Sequence, residues 1–271
     1  MSSIKFEKYN TPEFKVVKDV FSEYPLMEPY LAHIVEEYLY TTVREYFDNG
    51  QLSLKYTVKN GKKDGEYKRW YMIGNLMEQG YYKEGEKDGE FKKWHRGANG
   101  QQLESQEYYK EGKREGEYKR WYENGQIMAQ GYYKEGKKEG ECKSLWDNGQ
   151  LWSQEYYKEG KREGEYKIWY ENGQLHSQEY YKEDKLEGEH KRWYQDGQLM
   201  CQSYYKEGKE DGESKGWYPN GQIEIQEYYK KGNLDGEHKS WYPNGQLREK
   251  GYYKRGKLEW EKEWDEDGDL I

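Results

Sequence analysis

Residues 160–183 read GKREGEYKIWYENGQLHSQEYYKE, and variants of this 24-residue unit fill most of the chain. The residues that open the successive units are Gly61, Gly85, Gly112, Gly136, Gly160, Asp184, Gly208, Gly232 and Gly256. Their spacing is 24 residues, except for 27 residues between Gly85 and Gly112, where three residues are inserted within 95–102. A fixed period of this length predicts an array of similar supersecondary units.

Each unit contains two strand patterns and two turn patterns. Residues 165–170 and 175–182 are rich in aromatic side chains and have the length of strands. Asn172-Gly173 lies between them and favours a two-residue type I′ turn, in which both residues have positive φ. The Gly-Lys-x-x-Gly segment at the start of the next unit then reverses the chain again. Three glycines per unit and the Tyr-Tyr pairs argue against helices, so each unit is predicted to be a β-hairpin.

We therefore predict an all-β repeat protein, an elongated single-layer antiparallel β-meander of about nine 24-residue hairpins, over residues 46–271. Residues 1–45 differ in composition and are predicted to form a short helical N-terminal cap. Helix starts are indicated at Thr11-Pro12 and Glu28-Pro29. Leu31, Ile34 and Leu39 follow at helical spacing. This leader either covers the open edge of the first hairpin or docks a partner.

A two-residue turn at Asn-Gly also predicts how the side chains divide between the two faces of the sheet. One face then holds Glu117, Lys119, Trp121, Gln130 and Tyr132, and the other holds Tyr122, Ile127 and Tyr133. Because these residue types recur in nearly every unit, they are expected to stack into ladders across the strands. A register slip of one residue exchanges the two faces.

The composition limits the class of protein and its partners. The chain has 33% hydrophobic and 36% charged residues, but 32 Tyr, 11 Trp and 5 Phe supply the apolar surface that a disordered acidic chain lacks. The net charge of -8 disfavours nucleic acid as a partner. Cys142 and Cys201 form neither a disulfide framework nor a metal pair. An intracellular, non-secreted location is expected.

Carboxylates are abundant, but their periodicity argues against catalysis. The same slot of six successive units holds Glu117, Glu141, Glu165, Glu189, Glu213 and Glu237. One active site does not need six equivalent acids, and cross-strand pairing with the equally periodic lysines explains them better. The five histidines show no ligand spacing, and no phosphate loop or dinucleotide fingerprint is present. We therefore predict a protein that is not an enzyme, with no catalytic residue, no metal site and no cofactor.

Candidate interaction residues are those that depart from the repeat: His95 and Arg96 in the insertion, Trp152, Ile168, and Leu31, Ile34 and Leu39 in the leader. Trp152 occupies a position where other units have Met, Glu, His or Arg. An exposed tryptophan at that position suits an interface. The alternative interpretation is that the ring packs on a neighbouring methionine in the next hairpin.

The combination of W-Y-x-N-G-Q-L with Y-Y-K-x-G-K-x-x-G resembles the variant, or type 2, MORN repeat over roughly residues 46–268. The repeats are most similar to those of marseillevirus-type giant viruses and are also related to bacterial antitoxin-type proteins. The resemblance implies a non-enzymatic scaffold for protein–protein interaction, used as a structural or assembly protein of a giant virus, in the host cytoplasm or the virion. The alternatives it implies are an anionic-membrane scaffold and an antitoxin-like inhibitor of a partner protein. Its partners are then a protein, a second copy bound through the aromatic sheet face, or anionic lipid.

Overall fold

The computed structural model describes residues 4–6, 40–97 and 102–271. The helices predicted for the leader, including Leu31, Ile34 and Leu39, lie outside these ranges. Within them the chain forms strands and turns and no helix, which confirms the all-β prediction. Strand pairing begins with β1, Ile4–Phe6, which runs antiparallel to β2, Tyr40–Tyr46. The second of these strands starts inside the segment 1–45 that the sequence assigned to the leader.

The described residues divide into two compact units. The first contains the chain as far as Gly125 together with Tyr133–Gly136, and the second contains Gln126–Tyr132 and Lys137–Ile271. The remaining strands of the first unit are β3 Leu52–Lys59, β4 Lys62–Trp70, β5 Leu76–Lys83, β6 Glu86–Lys87, β7 Gly89–Trp94, β8 Leu103–Lys110 and β9 Lys113–Trp121. Strand β10, Ile127–Lys134, contributes to both units.

The strands of the second unit repeat one pattern. They are β11 Lys137–Leu145, β12 Leu151–Lys158, β13 Lys161–Arg162, β14 Gly164–Trp169, β15 Leu175–Lys182, β16 Lys185–Leu186, β17 Gly188–Trp193, β18 Leu199–Lys206, β19 Lys209–Glu210, β20 Gly212–Trp217, β21 Ile223–Lys230, β22 Asn233–Leu234, β23 Gly236–Trp241, β24 Leu247–Lys254 and β25 Lys257–Glu263. Consecutive strands pair antiparallel, as a meander of hairpins requires.

The register agrees with the predicted division of the faces for the strand residues beyond the bulge, but the prediction for Ile127 is wrong: its equivalent Leu175 lies opposite Trp169 and so shares the face of the tryptophan. In the hairpin of β14 and β15, Glu165 lies opposite Tyr180 and Lys167 lies opposite Gln178. These residues are equivalent to Glu117, Tyr132, Lys119 and Gln130. Alternate pairs of the same hairpin, Tyr166 with Glu179 and Ile168 with Ser177, belong to the other face.

The type I′ turn predicted at Asn-Gly is wrong. Gly173 has a φ of 85°, but Asn172 is not among the residues with positive φ. The amide of Gly173 donates to the carbonyl of Tyr170 (2.9 Å), and the amide of Tyr170 donates to the carbonyl of Gln174 (2.9 Å). These bonds enclose a three-residue loop, a type I turn followed by a left-handed glycine. Asn172 favours this loop because its Oδ1 accepts from the amide of Gln174 (3.0 Å).

The two-residue loop lies at the other end of the hairpin. Glu159 and Gly160 have φ values of 52° and 84° and connect Lys158 to Lys161, which are directly paired. Positive φ at both loop residues is the requirement of a type I′ turn. Glutamate is an unusual residue in such a turn, because the left-handed conformation is unfavourable for residues other than Gly, Asn and Asp.

A carboxylate from the preceding hairpin stabilises most of these turns. The amide of Glu159 donates to Glu139 Oε2 (2.7 Å), and the amide of Gly160 donates to the carbonyl of Lys138 (2.9 Å). The same carboxylate bond recurs at Glu84, Glu111, Glu135, Glu183, Glu207 and Lys231. Turns of successive hairpins within each unit are therefore joined by two hydrogen bonds, one of them assisted by charge.

Hydrogen bonds also join successive hairpins at the Asn-Gly edge. The hydroxyl of Tyr170 donates to the carbonyl of Trp193 (2.9 Å), and Asn172 Nδ2 donates to the carbonyl of Gln195 (3.1 Å). Equivalent tyrosine bonds are made by Tyr71, Tyr194, Tyr218 and Tyr242. The recurrent tyrosine and asparagine of Trp-Tyr-x-Asn are thus explained by contacts between one hairpin and the next.

One face of the sheet carries the buried row of the fold. Rings on this face meet edge to face, as Tyr67, Tyr82, Phe91 and Tyr109 do in the first unit, with centroids 5.3–5.5 Å apart. In the second unit the equivalent slot holds Cys142, Tyr166, His190 and His238. Rings on this face therefore pack largely against each other.

Candidate interaction surfaces

Most hairpins place one extra residue in a β-bulge near the recurrent tryptophan, whose slot holds Leu145 in β11. In the hairpin of β11 and β12, Ser144 pairs with Ser153 and Leu145 pairs with Leu151, so Trp152 has no partner across the ladder. The bulge residues in this position are Met77, Glu104, Trp152, His176, Met200, Glu224 and Arg248. A bulge re-aims the side chain of its extra residue. The position that varies most between units is therefore also the one that has no cross-strand partner.

Three consecutive bulges of the second unit carry Trp152, His176 and Met200, which we call the bulge row. Trp152 is 44% exposed, and its ring meets that of Trp146 edge to face with centroids 6.0 Å apart. His176 and Met200 are partly buried. The next two bulges carry the charged residues Glu224 and Arg248, which end the apolar row on that side.

His176 is held in its uncharged form at neutral pH. Burial lowers its pKa, and the positive charge of Arg192 lowers it further, against the opposing effect of Glu179. Its ring meets that of Tyr170 at 4.6 Å between centroids. The bulge row is therefore an uncharged, partly aromatic stripe on the surface of a strongly charged protein.

The other predicted interaction residues lie elsewhere. Ile168 lies opposite Ser153 and Ser177 on the face of the buried row and is itself partly buried. A ring nitrogen of His95 lies 2.8 Å from the carbonyl oxygen of Trp121, which gives this histidine a structural role, while Arg96 is exposed. Leu31, Ile34 and Leu39 are outside the described residues. Of these candidates, only Trp152 joins the bulge row.

Sequence reasoning missed His176 and Met200 as neighbours of Trp152. The available signal was the position itself, the residue after leucine in N-G-Q-L, which changes from unit to unit while its neighbours are repeated. Periodicity alone does not reveal that this position is a bulge.

The opposite side of the hairpins forms a second surface, made of repeated polar groups. In the hairpin of β20 and β21, Glu213 accepts hydrogen bonds from Lys215 (2.7 Å), Gln226 (2.6 Å) and Tyr228 (2.8 Å). The same four residue types are connected in the hairpins that contain Glu90, Glu141, Glu165 and Glu189. Glutamine and tyrosine therefore bind the glutamate across the hairpin, whereas the predicted cross-strand pairing with lysine is wrong for these hairpins, because the lysine lies two residues away on the strand of the glutamate.

These contacts shift the titration of the groups involved. The hydrogen bond from Lys215 lowers the pKa of Glu213, against an opposing effect of burial. The hydrogen bond to Glu213 raises the pKa of Tyr228, and burial adds to this effect. At neutral pH Glu213 is therefore ionised and Tyr228 is neutral, and the ammonium group of Lys215 lies against the carboxylate.

The residues described by the structure contain no group of three or more His, Cys, Asp and Glu side chains placed to hold a metal ion. Among the same residues, no helix is long and apolar enough to cross a membrane.

Solved structures give only a distant likeness. The Photorhabdus luminescens Tc holotoxin pore with the mutation TccC3-D651A is 10% identical, with a TM-score of 0.22 over 82% of this chain and 14% of that chain. The TcdB2-TccC3 crystal structure is 11% identical, with a TM-score of 0.21 over 86% of this chain and 17% of that chain. The chain spans less than a fifth of these proteins, and such scores support no conclusion. None of the curated proteins matches.

The sequence model of the MORN repeat variant matches seven segments that together cover more than half of the chain: 39–60, 114–135, 138–159, 162–183, 186–207, 210–231 and 234–255. Each segment contains the Asn-Gly loop or its Asp-Gly equivalent, and all of them except 39–60 contain the tyrosine pair. This chain belongs to the family of MORN repeat variants.

Proposed function

We propose that the protein is a non-enzymatic repeat scaffold that binds a partner protein through its bulge row. The observation that carries this proposal is the bulge that presents Trp152, His176 and Met200 on three successive hairpins. In the repeated positions, side chains are used to join one hairpin to the next. The bulge residues vary from unit to unit, so they are the positions at which such an array can encode specificity.

The chemistry of the bulge row fits protein recognition. Exposed tryptophan is the residue most enriched among binding hot spots, and methionine adapts its shape to a partner surface. Hairpins repeat about every 10 Å across a sheet, so three of them span about 20 Å, the scale of a small protein interface. The charged bulges of Glu224 and Arg248 mark the end of this apolar surface on one side.

Site-specific photo-crosslinking tests the proposal in the cells from which the chain derives. A benzophenone amino acid at position 152 is expected to capture one defined protein, while the same group at position 224, in the bulge of a charged unit, is not. Equal capture at both positions, or none at 152, contradicts the proposal.

The identified protein is then titrated against purified variants. Trp152→Ala is expected to weaken binding by about 10- to 100-fold, since hot-spot tryptophans contribute at least about 2 kcal/mol. Glu224→Ala is the matched control and is expected to bind like the unmodified chain. An unchanged Kd for Trp152→Ala excludes the bulge row as the binding surface.

The finer proposals on biological role follow from the resemblance of the repeats alone. These are assembly in a giant-virus particle or infection-stage complex, inhibition of a toxin-like partner, and association with anionic membranes. Sedimentation with vesicles that contain anionic lipid separates the last from protein binding, because a membrane scaffold sediments with the vesicles and does so less at high salt.

A further inference from the structure

The polar face of the second unit carries a row of tyrosines at intervals of 24 residues, which we call the tyrosine ladder: Tyr132, Tyr156, Tyr180, Tyr204, Tyr228 and Tyr252. Five of them are between 37% and 42% exposed, and Tyr156 is partly buried. Aromatic rings are normally buried where a fold can cover them, so a regular series of exposed rings is a feature that requires explanation.

Hydrogen bonds and a glycine fix the position of these rings. The hydroxyl of Tyr228 donates to Glu213 on the paired strand (2.8 Å) and accepts from Gln226 (3.2 Å), two residues earlier on its own strand. A Cβ at Gly236 would lie 2.8 Å from the Cβ of Tyr228, so the glycine leaves room for the tyrosine. Held at its tip in this way, the ring lies along its strand and turns one side to solvent.

The charges around the ladder cancel within each hairpin. Lys191 lies 2.8 Å from Glu189 and Lys215 lies 2.7 Å from Glu213. A surface of internally neutralised pairs attracts neither an anionic lipid nor a cationic peptide strongly. It is complementary to an uncharged ligand that has many hydrogen-bonding groups.

The period of the ladder limits the shape of the ligand. Each hairpin contributes two strands separated by about 4.8 Å, so neighbouring tyrosines are about 10 Å apart. A ligand that contacts several of these rings in the same way is therefore a linear polymer with a repeat of about 10 Å. An extended β-1,4-linked glycan meets this condition, because every second sugar presents the same side and its two-sugar repeat has this length.

We propose that the tyrosine ladder is a binding site for an extended, uncharged β-1,4-linked polysaccharide. The C–H groups on one side of a sugar ring meet the negative face of each tyrosine ring. The lysine ammonium group has three donors and uses one for its glutamate, and each glutamine has a carbonyl oxygen, so both bind sugar hydroxyl groups. Rings and donors that are already held in place lose little entropy on binding.

The twist of the sheet further narrows the choice of ligand. Adjacent strands rotate by about 20–25° relative to one another, so the row of tyrosines follows a curved path across its unit. A single soluble chain can follow such a path, whereas the flat surface of a crystalline polysaccharide touches only a few rings at once. We therefore expect binding to soluble oligosaccharides.

Titration of the full chain with soluble oligosaccharides tests the proposal. Cello- and chito-oligosaccharides distinguish a glucan from an N-acetylglucosamine polymer, and malto-oligosaccharides, whose α-linked chain coils, are the control. Affinity for one β-linked series is expected to rise about tenfold or more from the trisaccharide to the hexasaccharide, because longer chains engage additional tyrosines. Absence of binding by both β-linked hexasaccharides, or affinity independent of length, overturns the proposal.

A double variant locates the site. Tyr180→Ala with Tyr204→Ala removes two adjacent rings and is expected to weaken hexasaccharide binding at least about tenfold. Trp152→Ala, which alters the bulge row alone, is the matched control and is expected to bind the glycan normally. If the double variant loses the protein captured at position 152 and Trp152→Ala keeps it, the ladder is a protein-binding surface and the glycan proposal is wrong.

Chemical modification provides a test that does not depend on the folding of a variant. Nitration of the unmodified protein, mapped by mass spectrometry, is expected to label ladder residues such as Tyr204 and Tyr228 and to be suppressed there by the bound hexasaccharide. Tyr205 and Tyr229 follow them directly in sequence and lie on the other face, so their labelling is expected to remain unchanged. Equal suppression on both faces, or none on the ladder, contradicts the proposal.

Discussion

The two-residue turns predict a stabilising substitution at Glu207. This residue has a φ of 52° and precedes Gly208, which has a φ of 81°. For a residue with a Cβ, the left-handed region costs about 1–2 kcal/mol, and asparagine tolerates it better than glutamate. The first turn of this type already has asparagine, at Asn60, with a φ of 50°. Glu207→Asn therefore copies a solution that the chain itself contains.

The expected gain in unfolding free energy depends on which contacts Glu207→Asn changes and which it retains. The amide of Glu207 donates to Glu187 Oε2 (2.9 Å), and this bond belongs to the backbone, so it survives the change of side chain. Only the conformational cost is reduced, by about 0.5–1 kcal/mol. Glu159→Asn acts on an equivalent turn two hairpins away, and the double variant is expected to gain about twice as much, because distant sites add.

The matched control is Glu171→Asn, in the three-residue loop, where the glutamate has an ordinary φ. Guanidinium unfolding, followed by tryptophan fluorescence, compares the variants. Hydrogen exchange at the amide of Gly208 detects a local gain if the array does not unfold in one step. Equal stability for Glu207→Asn and Glu171→Asn, or a loss for Glu207→Asn, refutes the account of these turns.

Three further substitutions test other contacts. The pKa of Glu213 is lowered in the folded state, so its stabilising contribution is complete above the ordinary pKa of 4.5 and is lost as the pH falls through the folded pKa. Glu213→Gln is therefore expected to reduce the loss of unfolding free energy over this acidic range, measured by denaturation at a series of pH values. Gly236→Ala is expected to cost about 1–3 kcal/mol more in unfolding free energy than Gly140→Ala, because the added Cβ meets a tyrosine in the first case and open space in the second. Tyr194→Phe removes the hydroxyl that donates to the carbonyl of Trp217 (2.8 Å), and calorimetric or denaturant unfolding should show a loss of about 1 kcal/mol.

The division of the faces was predictable for the strand residues beyond the bulge, although the type I′ turn predicted at Asn-Gly is wrong. The loop at Asn172-Gly173 has one more residue than predicted, which by itself shifts the register of the following strand by one. The bulge at His176 adds a second extra residue on the returning strand, and the register is restored at Ser177. Counting with a period of two therefore gave the right face for a reason that the sequence did not display.

The type of the Glu-Gly turns was not predictable because their stabilisation is not local. Asn-Gly is favoured in type I′ turns by its own conformational preferences, and Glu-Gly is not. In the fold, however, Glu159 receives its carboxylate partner from Glu139, 20 residues earlier. A contact between hairpins thus supports a conformation that the local sequence disfavours. The same holds for Trp152, whose slot was visible as a departure from the repeat but whose bulge depends on pairing across the strands.

Repetition and variation have separate structural roles in this array, and this separation links the fold to its proposed functions. Recurrent side chains such as Tyr170 and Glu139 bind the backbone of a neighbouring hairpin, so a change at either position weakens the stacking of the array itself. The bulge residue makes no ladder pair, so replacing Trp152 alters the surface while leaving the pairing of Ser153 and Leu151 unchanged. The tyrosine ladder combines the two roles, because its hydroxyl groups stabilise each hairpin while its rings remain exposed on the surface. A ligand with the period of the fold can use the repeated rings, whereas a ligand of irregular shape must use the bulges.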